Sequence, residues 1–223
     1  MKQIFVVILL FSALLLGGCG VLSMLSQNDE SIREEILQHL YQKYGVEFTT
    51  VSLERGHHDF LTAFRTGGDP IDDFVGVQRH TRDGNVEFRD TFFGRLIREE
   101  IEASVAGSLS NMALPVQVFF SSYSVFFDNR FDGTKNFADF NQWVAEGNHM
   151  RLMVSVFFSV DSAENADEYA QQAFEKVQET GYVLGVHLNF IPHTAFEQLT
   201  RDNVTQIFAQ YRSQSVGATR LLN

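Results

Sequence analysis

Apolar and polar positions along this chain alternate between two periods, one near 3.6 residues and one of 2, and the switches mark out its elements. From Ser31 to Tyr44, the residues Ile32, Ile36, Leu37, Leu40, Tyr41 and Tyr44 fall on one helical face. Ser31 and Glu34 have capping-box spacing, and Gly45 stops the helix. Three or four strands follow, from the runs Val46 to Leu53, Phe60 to Arg65, Asp73 to His80 and Val86 to Asp90. The short breaks between them, including Asp83-Gly84, predict an antiparallel meander. The four-residue repeat of Phe93, Ile97, Ile101 and Val105 predicts a helix from Phe92 to Leu109. The stretch Ser110 to Pro115 then reads as the boundary between this group and a second one.

The second group opens with an apolar run, Val116 to Phe127, read as one long strand. A helix is expected over Asn136 to Glu146, with Phe137, Phe140, Trp143 and Val144 on one face. A strand over Met150 to Val160 follows, then a helix from about Ala163 to Thr180 capped by Asp161 and Glu164. A third strand covers Tyr182 to Ile191, and a last helix runs from Thr194, boxed with Glu197, to about Tyr211. The expected class is α+β. A helix–antiparallel meander–helix module (29–110) precedes a second α+β module (111–212) of three strands and three helices, and 213–223 reads as a loose tail.

Composition narrows the function classes. The formal charge is −11, which argues against nucleic acid, whose phosphates need clustered Lys and Arg. One Cys in 223 residues makes no internal disulfide and no thiolate zinc site. That Cys lies where a targeting signal ends. Met1-Lys2-Gln3 is a short positive start, and Ile4 to Leu16 is apolar except for Ser12. Such a run has the length of a signal-peptide core and falls short of a membrane span. It closes on Leu16-Gly17-Gly18-Cys19, which resembles the lipobox of bacterial lipoproteins.

The resemblance implies that residues 1–18 are a lipoprotein signal peptide. It also implies that Cys19 takes a thioether-linked diacylglyceryl group and becomes the mature N-terminus, with 19–28 as a tether. The implied partner is the lipid bilayer, on the extracytoplasmic side of the cell membrane. Stable anchoring takes two acyl chains, which a diacylglyceryl group supplies. An uncleaved anchor reaching Leu25 is the rival reading. It is weakened by Gly17, Gly18 and Gly20, each costing about 1 kcal/mol inside a helix. The layout of the body resembles that of small extracytoplasmic lipoproteins of Gram-positive bacteria with no assigned activity.

Three Phe pairs stand out in the body: Phe119-Phe120, Phe126-Phe127 and Phe157-Phe158. In strands, each pair sets one ring on either side of a sheet. Either helices cover both faces of the second sheet, or one face is a binding surface for an envelope protein or an apolar or sugar ligand. The other candidates are thinner. His57-His58-Asp59 in a turn, with His80 on a neighbouring strand, offers zinc-type ligands and the alternative of a metal-assisted hydrolase. Asp128, Asp132, Gly133 and Asp139 have partial calcium-loop spacing, but Arg130 stands where an oxygen ligand belongs. His187 and Asn189, with Ser155 and Ser159, are expected on one polar face of the second sheet. No nucleophile elbow, phosphate loop or zinc-protease motif is present. The reading at this stage is a non-catalytic, lipid-anchored binding module without cofactor, with a small-ligand-binding lipoprotein as a further alternative.

Overall fold

The computed structural model describes residues 28–69, 73–121, 125–160, 165–211 and 216–222. The signal segment, the lipobox with Cys19, nearly all of the tether, and the expected caps Asp161 and Glu164 lie outside them. The class is α+β, built on two four-stranded sheets. Among the described residues, no helix is long and apolar enough to cross a membrane.

Helix α1 (Asp29–Tyr44) begins two residues earlier than its hydrophobic pattern indicates. Its cap is Asn28, whose side-chain oxygen accepts from the Ser31 backbone N–H at 2.8 Å, so the Ser31–Glu34 box does not form the start. Gly45 ends the helix with φ 70°, the left-handed geometry that glycine adopts without a steric penalty. Strands β1 (Phe48–Glu54), β2 (Asp59–Arg65), β3 (Phe74–Arg82) and β4 (Asn85–Asp90) pair in sequence order, all antiparallel. Asp83 and Gly84 both have positive φ, as a two-residue hairpin turn of matching twist requires. Ile32, Ile36 and Leu40 of α1 pack on Leu61, Ala63, Val75 and Val77 to form the first core.

The helix expected at 92–109 is broken at Ile97 into α2 (Phe92–Leu96) and α3 (Arg98–Leu109). The break has a packing cause. Phe92 enters the first core, whereas Phe93, Ile97, Ile101, Val105 and Leu109 enter the second. Helix α3, which the pattern groups with the meander, thus covers the other sheet.

That second sheet has the order β5-β6-β7-β8. Strand β5 (Val116–Phe120) is far shorter than the run Val116 to Phe127 predicts. The chain leaves the sheet after Phe120, and Phe127 instead bridges to Asp90 with backbone hydrogen bonds of 2.7 and 3.0 Å. The apolar pattern is the same in both halves of the run, but its two ends serve different sheets. Helix α4 (Phe137–Ala145) starts with a complete capping box between Asn136 and Asp139. Strand β6 (Leu152–Val160), helix α5 (Ala166–Gln178) and strand β7 (Leu184–Pro192) make a parallel β-α-β crossover.

The last helix is also two pieces, α6 (His193–Phe196) and α7 (Val204–Tyr211), and Pro192 rather than a Thr194 box precedes it. Between them Asn203 accepts from the Thr200 N–H and donates to the Gln198 carbonyl, both at 2.8 Å, so a polar side chain closes a turn in place of helix. The tail is not loose. Residues Val216–Leu221 form β8, antiparallel to β7, and Leu222 is buried. The second sheet therefore has four strands, not three.

Candidate functional site

The Phe pairs divide between core and joint. Phe120, Phe127, Phe157 and Phe158 are buried, and Phe119 and Phe126 are half-buried. As the period-2 argument requires, Phe119 and Phe157 share one face of the second sheet, 5.7 Å between ring centroids, while Phe120 and Phe158 enter the core on the other. Helices α6 and α7 and the segment between them cover the first of these faces through Phe196, Leu199, Ile207 and Phe208. Helices α3, α4 and α5 contribute to the core on the second. The pairs are thus packing residues and not an open binding surface. Phe126 and Phe127 are not in a strand. Phe126 sets its ring against Phe60 of the first sheet at 6.1 Å, and Phe127 packs on Phe93 at 5.0 Å.

The histidine turn assembles only in part. His58 and His80 come together with ring centroids 4.8 Å apart, and His57 lies 6.2 Å from His58. Burial and the neighbouring His58 hold His80 below its ordinary pKa. Asp59 points elsewhere. It accepts from Arg55 at 2.8 Å and from Arg79 at 3.0 Å, beneath α1, where Glu35 also meets Arg79 at 2.8 Å. Among the described residues, no group of three or more His, Cys, Asp or Glu is placed to hold a metal ion. The three aspartates of the calcium-like spacing are each used locally. Asp128 accepts from Arg130, Asp132 from Thr134, and Asp139 from the Asn136 N–H.

The face expected to be polar is mixed: Ser155, Ser159, His187 and Asn189 share it with Phe119 and Phe157, beneath α6 and α7. Asn189 is buried and donates to the Val156 and His187 carbonyls at 3.3 Å each, leaving its own oxygen without a donor. Ser159, His193 and Glu197 form a string: Ser159 Oγ lies 3.0 Å from His193 Nδ1, and His193 Nε2 lies 3.2 Å from Glu197 Oε1. The order is that of a hydrolase relay. Its nucleophile is the buried member, however, whereas His193 and Glu197 face solvent. In this geometry the imidazole covers the hydroxyl instead of presenting it.

The joint between the sheets is the strongest electrostatic feature. Lys43 Nζ lies 2.7 Å from Asp90 Oδ2, with side chains 3% and 0% exposed, and also donates to the Asp128 carbonyl at 2.8 Å. The other Asp90 oxygen accepts from Tyr44 Oη at 2.7 Å and from the Phe92 N–H at 2.9 Å. Burial and the Asp90 carboxylate push the Tyr44 phenol far above its ordinary range. A second tie joins the segment between α6 and α7 to α3. Arg201 grips Glu102 bidentately at 2.9 and 2.6 Å, while Glu102 accepts the Phe120 N–H of β5 at 2.8 Å. Both networks are satisfied and serve to position the modules.

A hollow of about 250 Å³ remains, beside the single tryptophan. Its lining is Arg130, Phe131, Lys135, Asp139, Gln142, Trp143 and Glu146. Phe131 meets the indole edge-on at 5.1 Å, and the Arg130 guanidinium lies 5.0 Å from the indole centroid. Helical spacing puts Asp139, Gln142, Trp143 and Glu146 on one side of α4 and its C-terminal cap. The sequence pattern marks Trp143 as core and Arg130 as a defect in a calcium loop. The sequence signal that could have marked the hollow is the set of polar groups flanking the apolar stripe of α4. No protein-family model matches the chain, and neither a curated protein nor a solved structure matches it.

Proposed function

We propose that this protein is a lipid-anchored, non-catalytic binding module of the bacterial cell envelope, held at the extracytoplasmic face of the cell membrane through Cys19. One observation carries the reading. A signal-length apolar run follows a positive start and ends on Leu16-Gly17-Gly18-Cys19, which contains the only cysteine in the chain. The acidic body supports it, because an overall charge of −11 gives no polybasic attraction to anionic headgroups and leaves the attachment to acyl chains. An envelope protein is the expected macromolecular partner.

Replacing Cys19 with Ala is the direct test. The unsubstituted chain should incorporate an alkyne fatty acid during growth and pellet with membranes. The variant should do neither, or should accumulate with its signal uncleaved. Undiminished labelling and membrane retention in the variant would remove the proposal. A second reading, small-ligand binding by the tethered body, is favoured by the hollow beside Trp143.

A further inference from the structure

The hollow beside Trp143 has an unusual charge arrangement. Its loop wall, which precedes α4, carries two cations, Arg130 and Lys135; its helix wall carries two carboxylates, Asp139 and Glu146. Among the described residues, neither cation pairs with either carboxylate. Arg130 turns its Nε to Asp128 at 2.9 Å, outside the hollow. Asp139 spends one oxygen on the Asn136 N–H at 3.0 Å, and Glu146 one oxygen on the Gln142 amide at 3.3 Å. Lys135 influences Asp132 through space, helping to lower that carboxyl's pKa behind two hydrogen bonds from Thr134. The Arg130 terminal nitrogens, the Lys135 ammonium and one oxygen of each carboxylate are thereby left for a ligand or solvent.

The rest of the lining is the aromatic pair Phe131 and Trp143 and the Gln142 amide. Phe131 is buried, and Trp143 is packed between Phe131, Phe140 and the Arg130 guanidinium. Stacking on the indole fixes the guanidinium plane and aims its outer edge, so little rotamer entropy is lost when it binds a planar anion. A plain anion uses only the loop wall and meets repulsion from the other. A neutral sugar neutralises none of the four charged side chains. A small molecule with a carboxylate, an ammonium and an apolar side chain uses every part of the site.

We propose that this hollow binds a zwitterionic amino acid with an apolar side chain. The carboxylate sits against Arg130 and Lys135, the ammonium against Asp139 and Glu146, and the side chain against Phe131 and Trp143. At about 250 Å³ the site is smaller than a drug-sized pocket and of the right order for one such molecule. The proposal deepens the small-ligand reading and does not use the lipid anchor, so Cys19→Ala and the ligand test fail separately.

Trp143 is the only tryptophan, so intrinsic fluorescence of the full-length chain in detergent reports on this site alone. L-leucine is the probe, with N-acetyl-leucine and leucinamide as partners lacking one charge each. Leucine should give a saturable change, and each blocked compound should bind at least about tenfold more weakly, the usual scale for losing one charge-assisted contact. Glu146→Gln should narrow the gap between leucine and N-acetyl-leucine, and Lys135→Gln the gap between leucine and leucinamide. Both positions are exposed, so these variants should fold as the parent does. No saturable response up to the solubility of leucine, or the same response to all three compounds, would overturn the proposal and leave the hollow as solvated surface.

Discussion

The Lys43–Asp90 pair makes a quantitative test of how the two sheets are held together. Asp90 is fully buried and receives three donors: the Lys43 ammonium at 2.7 Å, the Tyr44 hydroxyl at 2.7 Å and the Phe92 N–H at 2.9 Å. Lys43→Met removes the cation and leaves the carboxylate charged in an apolar setting with two neutral donors. Asp90→Asn leaves the buried ammonium without a counter-charge and replaces one accepting oxygen by an N–H₂ donor that faces either Lys43 or the Tyr44 and Phe92 donors. Breaking one side of a buried pair typically destabilises by about 3–5 kcal/mol. The surviving hydrogen bonds place each single variant near the lower limit, about 3 kcal/mol. The double variant buries no uncompensated charge. Its loss should therefore fall about 2–3 kcal/mol short of the sum of the singles. Urea denaturation followed by far-UV circular dichroism measures all four proteins. In a chain of this length each single change should also lower Tm by roughly 6–12 °C. Singles costing under about 1 kcal/mol, or a double equal to their sum, would refute the joint as an energetic element.

Two further predictions concern residues with defined surroundings. His39 stacks on Phe88 at 4.2 Å, and desolvation is the main reason its pKa falls to about 4, with Asp90 opposing and Lys43 adding to the fall. Because the unfolded chain takes up this proton near pH 6.5 and the folded one only near 4, the contribution of His39 to stability is complete above pH 6.5 and is lost as the pH drops toward 4. The full shift corresponds to about 3 kcal/mol, and partial exposure reduces this to about 1–2 kcal/mol. Urea midpoints at pH 7 and pH 4.5 should thus differ more in the parent than in His39→Gln, and equal differences would count against the assignment. Leu222→Ala should cost about 2 kcal/mol in the same assay, the low end for a buried leucine because a chain end can close over the gap. A loss below about 0.5 kcal/mol would mean that the end of the chain does not contribute to the core.

The elements that the sequence pattern located best are those whose periodicity and end signals agree. The meander is one: each strand is bounded by turn residues, and Asp83-Gly84 supplies a left-handed pair where the hairpin needs it. Helix α4 is another, since Asn136, Asp139 and its apolar stripe all point to the same start and face. The misreadings share a physical cause, which is that hydrophobicity does not say which core a residue enters. Phe92 and Phe93 look alike in sequence but pack into different clusters, and that divergence breaks the helix. Phe126 and Phe127 read as the continuation of a strand but form the joint with β4. Strand β8 was missed because Val216–Leu221 has a Gly and an Arg among few apolar residues, and its strand character comes from pairing with β7. At the sites, residue types showed which groups could ligate but not which would meet. Asp59 went to Arg55 and Arg79 instead of to the histidines, and Trp143 joined two charged walls contributed by the loop and helix around it.

Strand β8 also constrains the order in which the molecule can be made. It borders β7 along Gly185 to Phe190, and the Leu222 N–H bonds to the Leu184 carbonyl at 2.8 Å. The first sheet and its helix are complete once Asp90 has emerged. The second sheet must wait for Val216–Leu221, and until then β7 presents an unpaired, strongly apolar edge open to pairing with another chain. A chain delivered N-terminus first therefore has its meander half folded and its crossover half unfinished for the time taken to deliver the roughly thirty residues from the end of β7 to the end of β8. A holding factor acting on this protein would have the edge of β7 to protect.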